Sequence, residues 1–62
     1  MILSEAVEEV FRENPKAVED AGEMDASVHY LVGLVIRKTG GKAAHGIAYM
    51  MVREKLKELR RE

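Results

Sequence analysis

Leu31-Val32-Gly33-Leu34-Val35-Ile36-Arg37-Lys38-Thr39-Gly40-Gly41-Lys42-Ala43 decides how this chain folds. Val28, Leu31, Val32 and Val35 recur at helical spacing, and Tyr30, Leu34 and Ile36 widen the apolar surface until little is left to face water. Such a helix is the central one of its domain. The pattern predicts it from Met24 or Asp25 to Lys38, capped by Asp25 or Ser27. Gly33 lowers its stability by about 1 kcal/mol relative to alanine, so another backbone is expected to cross closely there. Arg37 and Lys38 sit in the last turn, where cations suit the negative end of the helix dipole. Thr39-Gly40-Gly41 then breaks the chain and reverses it.

Downstream, a helix is predicted from His45 or Gly46 to near the C-terminus. Ile47, Ala48, Met51, Val52, Leu56 and Leu59 face inward, with Tyr49 and Met50 on the boundary. Arg53, Lys57, Arg60 and Arg61 are spaced by four, three and one and share one basic face. Glu54 can pair with Lys57, and Glu58 with Arg61, at three-residue spacing.

Upstream, Ser4 is expected to cap a first helix whose opening turns carry Glu5, Glu8 and Glu9. Its inward stripe is Leu3, Ala6, Val7, Val10 and Phe11, and it stops at Asn14, because the residue before a proline is pushed out of the helical region. Asn14 caps a short second helix with Pro15 at its first position. That helix turns Ala17, Val18 and Ala21 inward and ends at Gly22 in the left-handed conformation. No stretch reads as a strand. The expected fold is all-α: a single domain over residues 1–62, a compact bundle of three main helices plus one short helix.

Sixty-two residues support a small core and leave no room for a separate catalytic domain. With no Cys there is neither a disulfide framework nor a thiolate metal site, which suits a reducing cytoplasm. The longest apolar run, Tyr30 to Ile36, is far short of the roughly 20 residues a membrane span needs. The net charge of −1 hides a polarity. Residues 1–36 carry eight acids against two bases, a net of −6, and residues 37–62 carry eight bases against three acids, a net of +5. Such asymmetry points either to a polyanion partner or to two halves that neutralise each other on folding.

Several chemistries fall away. Thr39-Gly40-Gly41-Lys42 is no phosphate loop, because Ile36 stands where a glycine is required and Ala43 where a Ser or Thr is. His29 and His45, the two histidines, are expected to be structural or surface residues. Ser4 and Ser27 lack a base and an orienting carboxylate. Met24, Met50 and Met51 are expected to fill core gaps. What remains is a basic constellation: Arg37, Lys38 and Lys42 around a glycine turn whose amides can also meet a phosphate, with the cations of the last helix.

Asn14-Pro15-Lys16-Ala17-Val18-Glu19-Asp20, then Gly22, then Leu31-Val32-Gly33-x-Val35-x-Arg37-Lys38-Thr39-x-Gly41-Lys42-Ala43, and finally Glu54-Lys55-Leu56 follow a known pattern in order and spacing. The chain resembles the helical tail domain shared by the B and E subunits of tRNA-dependent amidotransferases and by YqeY-like proteins, the GatB/YqeY tail family. It departs at Leu34, where the family has glutamine, and at Ala44-His45, where the family's Asn-Pro supplies a cap worth about 1 kcal/mol. Tyr49, Met50 and Met51 are also more apolar than their family counterparts, which points to an apolar patch and self-association.

The resemblance implies a cytoplasmic, non-catalytic module that grips the body of tRNA through shape and phosphate contacts. Arg37, Lys38, Lys42, Arg53, Lys57, Arg60 and Arg61 are the expected phosphate contacts. The family's chemistry is that of a glutamine-dependent carbon–nitrogen ligase: a side-chain carboxyl on mischarged Glu-tRNA or Asp-tRNA is activated with ATP and Mg²⁺ and amidated. That work belongs to another domain, so no cofactor is expected here. Other amidotransferase subunits are the further partners, with the chain a monomer or weak homodimer. The rival reading is a helical interaction module that docks on a partner subunit, or on itself, through Leu34, Tyr49 and Met50.

Overall fold

The computed structural model describes residues 1–60, which form four helices and, among the described residues, no strand. They are α1 (Leu3–Glu13), α2 (Pro15–Ala21), α3 (Asp25–Lys38) and α4 (His45–Leu59). Each falls where the periodicity places it, and α3 packs against all three others. Val28, Leu31, Val32 and Val35 of α3 meet Ala6, Val7, Val10 and Phe11 of α1, Ala21 of α2, and Ala48, Val52 and Leu56 of α4 in one core. Leu31, Val10, Val32, Val35 and Val52 are fully buried, and each contributes about 1.5–3 kcal/mol relative to an exposed side chain.

The helix ends differ from expectation in instructive ways. α1 starts one residue before Ser4, with Ile2 in the capping position and no side-chain cap. Asn14 does not cap α2 either: its side-chain amide turns back and donates to the Val10 carbonyl at 2.9 Å, closing α1 instead. Neither Asp25 nor Ser27 caps α3, whose capping residue is Met24 in an extended conformation. Gly22 is right-handed (φ −64°), because the chain continues through a further tight turn in which Glu23 and Met24 both donate to the Asp20 carbonyl. α4 starts at an uncapped Ala44, in keeping with the missing Asn-Pro.

At the end of α3 the glycines do what their chemistry allows. Gly40 (φ +72°) and Gly41 (φ +80°) are both left-handed, a conformation that side chains with a Cβ resist. Gly41 donates to the Ile36 carbonyl at 3.0 Å, and Gly40 to the Arg37 carbonyl at 3.0 Å, the paired bonds that close a helix C-terminus. Thr39 adds its hydroxyl to the Ile36 carbonyl at 2.8 Å. The Ile36 and Arg37 carbonyls are thereby satisfied.

No backbone crosses at Gly33. A Cβ built there meets nothing within 4 Å among the described residues, so this glycine lies open on the outer side of α3. The apolar surface of α4 also exceeds what the bundle covers: Ile47 and Leu59 are exposed rather than inward, and Met50 is 65% exposed. Met24 is exposed too, and only Met51 among the three methionines packs against the core. Leu34, by contrast, is half-buried beside Val10 and Asn14 of the α1 end.

Candidate nucleic-acid interface

The basic residues divide according to the face of α3 or α4 on which they lie. At 3.6 residues per turn, neighbours in a helix point about 100° apart. Lys38 projects onto α1, whereas Arg37, beside it at the rim of the same hollow as Glu13 and Asn14, makes no ion pair among the described residues. The Lys38 ammonium lies 3.0 Å from Glu9 and 2.9 Å from Glu13. Hydrogen bonds to Glu13 first and Glu9 second hold its pKa above the ordinary lysine value. On α4, Lys55 reaches α1 in the same way, 2.8 Å from Glu8 and 5.7 Å from the centre of the Phe11 ring. Part of the charge polarity is thus cancelled internally, by three acids of α1 against two lysines of the basic half.

Arg37, Lys42, Arg53 and Lys57 are exposed, and among the described residues none of them forms an ion pair. The Glu54–Lys57 pair expected from spacing does not form. Arg60 folds back so that its guanidinium donates to the Gly22 carbonyl, tying the end of α4 to the turn before α3. Arg61 lies outside the described residues. Lys42 stands apart from the α4 cations, beside Met1 and Leu3 at the start of the chain. The amides of Gly40 and Gly41, expected to be free for a phosphate, are consumed in closing α3.

On the side of α3 away from Lys38, the structure assembles a feature that composition does not announce. His29 stacks on Tyr49 of α4 with ring centres 5.5 Å apart and planes 27° from parallel, and lies 6.4 Å from the His45 ring. Asp25 approaches His29 at 3.6 Å. The Arg53 guanidinium sits 5.7 Å from the centre of the Tyr49 ring and donates to its hydroxyl at 3.3 Å. Both histidines are surface residues, as expected. Their one sequence signal is spacing: His29, Gly33 and Arg37 on α3, and His45, Tyr49 and Arg53 on α4, each advance by four residues along one stripe.

An Mg²⁺–nucleotide site does not fit these residues. Among the described residues no three His, Asp or Glu side chains converge as metal ligands. The Gly40 and Gly41 amides, bonded to the Arg37 and Ile36 carbonyls, offer no phosphate cradle. Among the described residues no helix is long and apolar enough to cross a membrane.

Residues 2–56 match the family model described as the GatB domain. The chain is similar to the B subunits of several aspartyl/glutamyl-tRNA(Asn/Gln) amidotransferases. It is 48% identical to that of Methanopyrus kandleri over 56 residues, which covers 87% of this chain and 12% of that protein. It is 43% identical to that of Rickettsia bellii over 56 residues, covering 89% of this chain and 12% of the relative. With that of Methanosphaera stadtmanae the figure is 46% over 55 residues, 87% of this chain and 12% of the relative. No solved structure matches. The chain spans about an eighth of the length of these relatives, and the matched stretch contains the Leu31–Ala43 segment, all of α1, α2 and α3, and most of α4. By sequence, and with the all-helical bundle to accommodate it, this chain belongs to the GatB domain family, which includes the B subunits of tRNA-dependent amidotransferases.

Proposed function

We propose that this chain is a tRNA-gripping tail that holds the nucleic acid by its phosphates and performs no chemistry itself. Amidation of mischarged Glu-tRNA or Asp-tRNA, with ATP and Mg²⁺, belongs to other parts of the parent enzyme, in the cytoplasm. The observation that carries this reading is the division of the cations. Lys38 and Lys55 are spent on α1, whereas Arg37, Arg53 and Lys57 are exposed and form no ion pair among the described residues, with Lys42 after the turn. Phosphate contacts position a nucleic acid without reading its sequence, and a polyanion is the partner such unpaired cations favour. Arg60 and Arg61 extend the same proposal toward the C-terminus, and Lys38 ranks last among the seven.

The test is a titration of the chain with folded tRNA at two salt concentrations. Affinity is expected to fall steeply with salt, and removing Arg37 or Arg53 to lower the log–log salt slope by about one each. Lys38→Ala should leave that slope unchanged. Absence of binding at low salt would overturn the reading.

A second reading has its own observation. α1 and α4 flank an open cleft of about 370 Å³ whose floor is Val7, Ile47, Met50 and Met51 and whose rim carries Glu8, Glu54, Lys55 and Glu58, with Ile47 and Met50 largely exposed. Docking of another amidotransferase subunit or a second copy there would bury apolar surface and depend on salt less steeply than a phosphate grip does. Sedimentation across a concentration series separates a monomer from a weak homodimer.

A further inference from the structure

We infer that the ring cluster of His29, Tyr49 and His45, with the open backbone at Gly33, is a stacking site for an unpaired base of the bound RNA. This rests on the tRNA-gripping reading and adds to it a second kind of contact, to bases rather than phosphates.

Three features of the surface support it. The first is the rings themselves. His29 and His45 are exposed and Tyr49 half-exposed, yet they are gathered from two helices into one stack. Flat exposed rings are the means by which proteins hold splayed-out bases, since every base has a face to stack. The second is Gly33, one turn beyond His29 on the same stripe. Among the described residues nothing lies within 4 Å of where its Cβ would be, so no packing among them requires a glycine there. The open backbone leaves a shallow floor beside the His29 ring, and any larger residue would fill it.

The third is charge. Arg60 ties the end of α4 to Gly22, ahead of α3, so α4 runs back toward the start of α3. Arg53 therefore lies on one side of the rings, held over Tyr49, and Arg37 lies on the other, about 12 Å along α3 from His29. Two guanidiniums flanking a ring platform suit the phosphates on either side of a base seated on it. Asp25, 3.6 Å from His29, sets a negative charge at one edge of the platform. An apolar protein segment would find the α1–α4 cleft the better seat.

The experiment compares binding of the 62-residue chain to an RNA hairpin with an unpaired loop and to a blunt duplex with the same stem. The hairpin is expected to bind more tightly. Gly33→Leu and His29→Ala should each weaken the hairpin about tenfold or more and leave the duplex unchanged, while His29→Phe, which keeps a flat ring, retains hairpin binding. Gly33→Leu introduces a better helix former on an open face, so its thermal unfolding should occur no lower than wild type and its loss of binding cannot be misfolding. Equal affinity for the two RNAs, or unchanged hairpin binding in both Gly33→Leu and His29→Ala, overturns the ring site. Loss of affinity for both RNAs in Arg37→Ala would leave the phosphate grip standing in that case. Failure of the wild-type chain to bind either RNA overturns the grip and the ring site together.

Discussion

Arg37 and Lys38 are adjacent in the chain, carry the same charge and end the same helix, yet they belong to different regions of the molecule. Lys38 joins the inner side of α3, where Leu31 and Val35 pack toward the core and Glu9 and Glu13 of α1 meet the ammonium. Arg37 lies between that side and the outer stripe of His29 and Gly33, and among the described residues it forms no ion pair. At about 100° per residue His29 and Lys38 are half a turn out of phase, and Arg37 lies between them, about 80° from His29 and about 100° from Lys38. The inner side is satisfied within the chain and the outer side is not. A cluster of cations in a sequence is therefore two populations, and only the one left unanswered is available to a polyanion.

The largest effect expected from this contrast is on stability. Leu31 is fully buried and lies seven residues before Lys38 on the inner stripe. Leu31→Ala should lower unfolding free energy by about 2–5 kcal/mol through lost burial and the cavity left behind. His29→Ala, on the outer side, should stay within about 0.5 kcal/mol of wild type, as surface changes usually do. Urea denaturation of the two variants measures both. Comparable losses would mean that the ring stack is a structural element and that the outer side is not free.

An intermediate effect is expected at the turn that lets α4 return. Gly40 is left-handed, so Gly40→Ala forces a conformation that disfavours a Cβ by about 1–2 kcal/mol. Gly22→Ala should not incur that strain, because Gly22 is right-handed; its new Cβ would instead displace the flexible Arg60 side chain from the Gly22 carbonyl. If the two substitutions destabilise equally, the backbone at Gly40 is not what sets the turn.

This division also marks what the sequence discloses. The inner stripe was legible in full: Val28, Leu31, Val32 and Val35 repeat with the helical period, and burial follows period. Helix limits followed from Pro15 and from Gly40-Gly41, whose conformations leave few options. Capping was less legible. Asn14 satisfies the rule for starting α2 and also lies four residues after Val10, and its amide takes the earlier partner. On α4 the apolar residues are too many for one face, so periodicity could not say that Ile47, Met50 and Leu59 are left outside. The ring stack was not legible, because His29 and Tyr49 are twenty residues apart and only the tertiary path of α4 joins them. For the same reason the sequence could not divide Arg37 from Lys38, since it does not show which side of α3 faces the acids of α1.

The smallest effect bears on charge alone. Lys38 is held above the ordinary lysine value of 10.5 by hydrogen bonds to Glu13 and Glu9. A cation whose folded pKa is raised stabilises the fold in full below its unfolded pKa, and that stabilisation is lost as pH rises through the folded pKa. The difference in urea midpoint between wild type and Lys38→Met should therefore be constant from neutral pH to near 10 and shrink above about 10.5. Methionine keeps most of the stem, so packing is nearly conserved and the residual difference reports the ammonium. Arg37→Met supplies the comparison: guanidinium does not titrate in this range and among the described residues Arg37 forms no ion pair, so its midpoint should follow wild type at every pH. A Lys38→Met difference that persisted at high pH would assign the contribution to the stem rather than to the charge. The inner and outer sides of α3 would then differ in packing only, and the cation left over at Arg37 would carry no special meaning for a polyanion.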